Sequence, residues 1–144
     1  VDAVLNSKLS LARQKDIALD CAAELPEQLS VSDVDLCVIL GNLLDNAVEA
    51  CEKIPPEGRF LRVYCAVVKH QLYLSVQNSA KEELDFDERN YISKKRGNHG
   101  LGMKRVKVLV DQYQGFLNLQ NQPGIFAAEV LLPLTAPQSP CAHP

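Results

Sequence analysis

Apolar residues recur along this chain in helical and alternating runs that predict the order α-β-α-β-β-loop-α-β-β. Residues 1–15 place Val1, Val4, Leu5, Leu9 and Ala12 on one side of an amphipathic helix. Ile17 to Ala22 alternates as a strand. Ser32 then reads as the N-cap of a long helix, with Asp35 as its capping-box partner. Within it Leu36, Leu40, Leu43, Leu44, Ala47 and Cys51 recur at intervals that share one face, and Pro55-Pro56 stops it after Ile54. Phe60 to Val68 and Gln71 to Gln77 alternate around Lys69-His70, the signature of a tight hairpin. The pattern breaks over residues 78–98, a polar loop of a length that is uncommon inside a compact domain unless it is functional. A helix follows from Gly100 to Tyr113, with Val106, Leu109 and Val110 inward and Gly115 as its stop. Phe116 to Gln120 and Ile125 to Leu132 form a last hairpin around Asn121-Gln122-Pro123-Gly124.

This order implies a two-layer α/β (α+β) sandwich: a mixed, mostly antiparallel sheet of about five strands, covered on one face by three helices. The 144 residues make one domain of ordinary size, with the Pro-, Ala- and Ser-rich residues 134–144 expected to be a disordered tail. The net charge of −3 excludes a general nucleic-acid binder, which needs a basic surface. No apolar run approaches the roughly 20 residues that cross a bilayer, and no signal-peptide pattern is present. The first residue is Val, so a fragment of something longer is expected. Five cysteines without C-x-x-C spacing disfavour a zinc site or a disulfide framework, and the four in apolar segments read as reduced core thiols.

Two polar stretches do not fit this frame. Asn42 and Asn46 stack one turn apart on the second helix, as do Asp45 and Glu49, beside a stripe that should be packed. Buried amides either serve the fold by bonding backbone groups or bind something. Downstream, Gly97, Gly100 and Gly102 lie at the start of the next helix among Lys94, Lys95, Arg96, Lys104 and Arg105. Glycines there let backbone N–H groups approach a phosphate, and the helix dipole favours an anion. The same glycines also make a hinge, and the basic run a solvated face. On these residues alone both readings stand. A divalent ion such as Mg²⁺ needs only one or two protein oxygens beside phosphates, and an Asn oxygen supplies one.

Taken together, Asn42-Leu43-Leu44-Asp45-Asn46-Ala47-Val48-Glu49-Ala50 and His99-Gly100-Leu101-Gly102-Met103 resemble the GHKL ATP-binding fold. Within that superfamily the chain is similar to the catalytic domain of sensor histidine kinases, in the branch of quorum-sensing and dicarboxylate-sensing receptors. The resemblance covers residues 1–133, with 1–15 as the end of a dimerisation helix and junction and 16–133 as the catalytic domain. It implies ATP and Mg²⁺ as cofactors. Asn42 and Asn46 match the N box and would be catalytic, Asn46 holding the metal, with Asp45 beside them. Gly97, His99, Gly100, Leu101, Gly102 and Met103 match the second glycine box, and residues 78–98, with Lys94, match the ATP lid. Phe126 to Pro133 matches the closing strand. One departure stands out: Asn78-Ser79 occupies the place of the first glycine box, where an Asp normally accepts from adenine. The Asn78 oxygen can still accept that bond, without a charge.

Hydrolysing members of this superfamily carry a Glu four residues before the metal-binding Asn. Here that residue is Asn42, and an amide cannot act as a general base. The resemblance therefore implies transfer of the γ-phosphoryl group to a protein His rather than to water. His70, His99 and His143 do not lie on a dimerisation helix, so the acceptor is expected upstream, with a response regulator as further partner and no nucleic acid. The fragment is expected to be soluble and cytoplasmic, its parent a membrane-anchored sensor. The alternatives are the nucleotide-binding module of a degenerate sensor kinase and an anti-sigma-factor-like serine kinase.

Overall fold

The computed structural model describes residues 1–81 and 97–134, with side chains excepted for 97–101; the expected tail beyond residue 134 and most of the expected lid lie outside the described residues. Three helices, α1 (Asp2–Gln14), α2 (Asp33–Glu52) and α3 (Gly97–Gln112), pack on one face of a five-stranded sheet. Its strands are β1 (Ala18–Ala23), β2 (Phe60–Val68), β3 (Gln71–Ser79), β4 (Phe116–Gln122) and β5 (Ile125–Pro133), in spatial order β1-β2-β3-β5-β4. Only β1 and β2 run parallel, from Ala18↔Phe60 to Ala23↔Cys65. A parallel pair needs a crossover, and α2 supplies it. All other neighbours are antiparallel.

The core is built around α2. Leu36, Ile39, Leu40, Leu43 and Leu44 are all essentially inaccessible to solvent. They belong to one cluster with Leu61, Val63, Leu72, Leu74 and Val76 of the sheet, Leu5, Leu9 and Ala12 of α1, and Met103, Val106 and Val110 of α3. Each such aliphatic contributes roughly 1.5–3 kcal/mol relative to exposure. Surface ion pairs contribute at most about 1 kcal/mol each, so the leucine row, not the charges, holds α2 in place. The charges instead set direction. Lys8 pairs with Asp45 at 2.7 Å and Lys15 with Glu52 at 2.8 Å, so α1 lies parallel to α2. Arg59 closes their ends, donating to the backbone carbonyls of Ile54 (3.0 Å), Lys15 (2.8 Å) and Glu52 (3.4 Å). Those carbonyls are the acceptors that a helix leaves without an intrahelical donor.

Ser32 caps α2 as expected, its Oγ accepting from the Asp35 N–H at 3.1 Å. The return half of the capping box is replaced. Asp35 accepts instead from the Tyr113 hydroxyl (2.5 Å), and that hydroxyl in turn accepts from the Ser32 N–H (3.2 Å). Glutamate would reach the cap N–H; aspartate is one methylene shorter, and the tyrosine fills the gap.

The Lys69-His70 hairpin is the tight turn expected, with both residues at positive φ (51° and 64°) as a type I′ turn requires. Elsewhere the boundaries differ from the sequence expectation. β3 runs on through Asn78 and Ser79, which pair with Phe126 and Ile125 of β5, so the expected lid loses its first two residues to the sheet. α3 starts at Gly97 rather than Gly100, since glycine is tolerated in a first turn when the rest of the helix is anchored. Just beyond α3 it is Gln114, not Gly115, that takes the positive φ (57°). Gly115 is needed for space: a Cβ there would stand 2.4 Å from the Leu131 carbonyl oxygen. β4 extends to Gln122, leaving only Pro123-Gly124 for the turn. Cys21 is exposed and Cys37 half-buried, so Cys51 and Cys65 alone of the four described cysteines are core thiols. Among the described residues no helix is long and apolar enough to cross a membrane.

Burial pushes the Cys65 thiol up to about 12 from its ordinary 9.0. A thiol pKa raised on folding means the native state keeps its proton where the unfolded chain loses it. The stability this group contributes is present below pH 9 and is lost as pH rises towards 12. Replacing Cys65 with Ala should flatten the fall in unfolding free energy over that range, measured by urea titration at stepped pH; an unaltered alkaline slope would contradict the assignment.

Candidate functional site

Helices α2 and α3 pack antiparallel, because Asn42 meets Gly102 while Asp35, nearer the start of α2, meets Tyr113 beyond the end of α3. The first of these contacts is unusually close. A Cβ on Gly102 would sit 2.4 Å from Asn42 Oδ1 and 3.1 Å from its Cγ, so any other residue there requires the Asn42 side chain to move. Asn42 is fixed in turn by its Nδ2, which donates to the Val38 carbonyl at 2.7 Å. Its carboxamide is thereby oriented with the oxygen towards α3. Two stretches distant in sequence meet at this point.

One turn on, Asn46 is buried (6% exposed), its Oδ1 shielded from solvent. A further turn along, Cys51 Sγ lies 3.4 Å from the Phe60 carbonyl and 3.6 Å from Ser79 Oγ at the end of β3. Burial raises the Cys51 thiol pKa, opposed by its Ser79 contact, so it is a packed thiol and not an activated one. Ser79 Oγ also accepts from the Phe60 N–H at 2.9 Å, which ties the hydroxyl to the sheet. Asn78 is almost fully buried (1% exposed), and its Nδ2 donates to the Ser79 carbonyl at 3.0 Å. That bond turns the Asn78 oxygen away from the Ser79 carbonyl and makes it the acceptor end of the amide. Asn42, Asn46 and the Asn78–Ser79 pair thus lie in sequence along α2, over about 14 Å at the helical rise.

Two expected site residues face elsewhere. The Asp45 carboxylate is engaged by Lys8 of α1, since a helix sets position 45 about 100° away from position 46. Met103 is 1% exposed and belongs to the hydrophobic core. Gly97, His99, Gly100 and Leu101 fall in the first turns of α3, their side chains outside the described residues, and Lys94 lies outside them altogether. Lys104 and Arg105 follow on the exposed face of α3. Lys8 and Tyr113 escaped sequence reasoning. Lys8 had no signal beyond its amphipathic helix, whereas the short Asp35 in a capping-box position was a trace of Tyr113.

The donor set suits a hard divalent cation beside phosphates: Asn46 offers one neutral oxygen, and phosphate and water oxygens complete such a shell. Among the described residues no group of three or more His, Cys, Asp or Glu could hold a metal ion by itself.

An open five-stranded mixed sheet with three helices on one face, and a half-buried Asn42 meeting a glycine-rich helix start, define an α+β sandwich with an amide-lined helix edge. The model of the GHKL domain matches residues 31–133, and the chain belongs to that family. Among curated relatives, the sensor protein CitS of Bacillus subtilis (strain 168) is 33% identical over 134 residues, covering 85% of this chain and 23% of CitS. The sensor protein EvgS of Escherichia coli (strain K12) is 29% identical over 126 residues, covering 81% of this chain and 10% of EvgS. The chain therefore spans less than a quarter of the length of either relative. In fold it is similar to the catalytic domain of the histidine kinase ThkA in a nucleotide-free form (TM-score 0.75, 17% identity, 94% of this chain and 92% of that one). It is likewise similar to the mycobacterial sensor histidine kinase MprB (TM-score 0.69, 20% identity, 92% and 95%).

Gly102→Ala should force Asn42 off the Val38 carbonyl and push α3 outward. Overpacking of this kind costs about 1–3 kcal/mol. Thermal melting should register that loss together with weaker ATP binding; wild-type values for both would show that the contact is not tight.

Proposed function

We propose that this chain binds Mg·ATP along the α2 edge and is the catalytic domain of a sensor histidine kinase. The observation that carries the reading is the seating of Gly102 on Asn42 Oδ1, which brings the glycine-rich start of α3 against the amide-bearing edge of α2. The phosphate end of the nucleotide would lie where backbone N–H groups at the α3 N-terminus face α2, with the dipole favouring the anion. The adenine end would lie at β3, where the Asn78 oxygen accepts from the exocyclic amine. Asn46 would hold Mg²⁺, which supplies charge neutralisation at the phosphates. Asn42 would position that chemistry, with the exposed Lys104 of α3 available to the phosphates and Lys94, earlier in the sequence, as a further candidate.

The family likeness and the sensor relatives support phosphoryl transfer over hydrolysis, and Asn42 supports it further. Its amide, pinned to the Val38 carbonyl, has no proton-accepting base to offer a water. The acceptor is then a His on a dimerisation helix of the parent chain, which passes the phosphoryl group to a response regulator. The parent is a membrane-anchored sensor with this domain on the cytoplasmic side.

Calorimetric titration of the chain with ATP, with and without Mg²⁺, tests the nucleotide reading. Asn46→Ala should lose at least about tenfold in the Mg-dependent affinity, as removal of one hydrogen-bonding or ligating group to a charged partner does, with little change in Tm. Unchanged affinity would remove Asn46 as the ligand. Incubation of the full parent with labelled ATP should give acid-labile, base-stable phosphohistidine; label released only as inorganic phosphate would make the domain a hydrolase.

A further inference from the structure

The Tyr113 hydroxyl ties α3 to the start of α2, at the opposite end of the helix pair from the proposed site. It follows the last turn of α3, yet its partners are the N-cap and first turn of α2: it accepts from Ser32 N–H at 3.2 Å and donates to the Asp35 carboxylate at 2.5 Å. About 16 Å away, at eleven residues of helical rise, the same pair of helices meets again at Gly102 and Asn42. Between these points α3 presents Val106 and Val110 to a core that includes Leu36, Ile39 and Leu40. Aliphatic contacts are strong but not directional, so they hold the helices together without fixing their axial register. A hydrogen bond to a carboxylate is directional.

The far end of α3 is fixed on its other side as well. The Gly115 N–H donates to the Val110 carbonyl at 2.8 Å, and Gly115 sits so close to β5 that no side chain fits. Tyr113 therefore stands where α3, the start of α2 and the β5 side of the sheet come together. Its hydroxyl lies far from Asn46 and Asn78 along α2 and touches neither.

We infer that Tyr113 is a positioning residue for the nucleotide phosphates: with Asp35 and Ser32 it sets the axial register of α3 on α2, and so places the glycine-rich start of α3 opposite Asn42 and Asn46. The inference rests on the Mg·ATP reading above. It concerns the phosphate end alone, because the adenine end is built on β3, to which this latch makes no bond. A selective defect follows. Loss of the latch loosens the register of α3 on the start of α2, which displaces the backbone donors from the phosphates and leaves Asn78 on β3 where it was.

Tyr113→Phe keeps the ring and removes only the hydroxyl. Affinities for Mg·ATP by calorimetry and for adenosine by NMR titration should be measured on this variant, on Asp35→Ala, on the double variant and on the wild-type chain. Each single variant should bind Mg·ATP about tenfold more weakly, the low end of what one hydrogen bond to a charged group is worth, with adenosine affinity unchanged. The double variant should be no worse than the weaker single one, since one latch is removed in each case. Parallel loss of both ligands, or wild-type affinity for both in Tyr113→Phe, would overturn the inference while leaving the nucleotide reading in place. A wild-type chain that binds neither ligand would overturn both.

Discussion

The structure depends on one steric constraint: α2 and α3 approach so closely at Asn42 and Gly102 that a side chain at position 102 would displace the Asn42 amide. Everything proposed about function follows from that approach. Asn42 is held with its oxygen towards α3 by a bond to its own helix, so the contact orients an amide as well as filling space. The partner helix begins at Gly97, only a few residues before the contact, and a helix start carries N–H groups that have no intrahelical acceptor. A charged ligand placed there meets a helix start on one side and amide oxygens on the other.

The rest of the molecule holds α2 where this contact needs it. The leucine row of α2 is sealed against β2 and β3, and α1 lies along another side with Lys8 on Asp45. Arg59 gathers three backbone carbonyls at the far end, and the Ser32–Tyr113–Asp35 relay closes the near one. These devices differ in kind. The apolar row supplies stability, whereas the polar contacts at the two ends supply register, which apolar packing alone leaves loose. Sheet and helices thus act as a frame in which one helix is fixed first and the others are referred to it.

Much of this was legible in the residues. The α2 stripe from Leu36 to Cys51 is buried as its spacing required, because a 3.6-residue period leaves little choice once one face meets a sheet. The Lys69-His70 hairpin and the Ser32 cap also follow from local chemistry. What could not be read depends on partners distant in sequence. Asp45 looked like a neighbour of Asn46 in function, but a helix turns it towards α1, and Lys8 claims it. Met103 follows the glycine motif directly yet points into the core. Asn78 and Ser79 carry polar side chains that suggested a loop, and the ladder with β5 keeps them in the sheet. The Tyr113 relay needed both helices in place before it could be seen.

The central claim is that the nucleotide lies along α2 with its phosphates at the Asn42–Gly102 contact. Paramagnetic broadening of NMR signals by Mn·ATP tests that placement directly, since Mn²⁺ substitutes for Mg²⁺ and erases signals near the metal. The Asn46 and Asn42 side-chain amides and the backbone amides of Gly100 to Met103 should be lost early. Signals from α1 and from the open face of the sheet, such as Tyr64, should persist. Broadening centred on α1 or the open sheet face, with Asn46 unaffected, would contradict it.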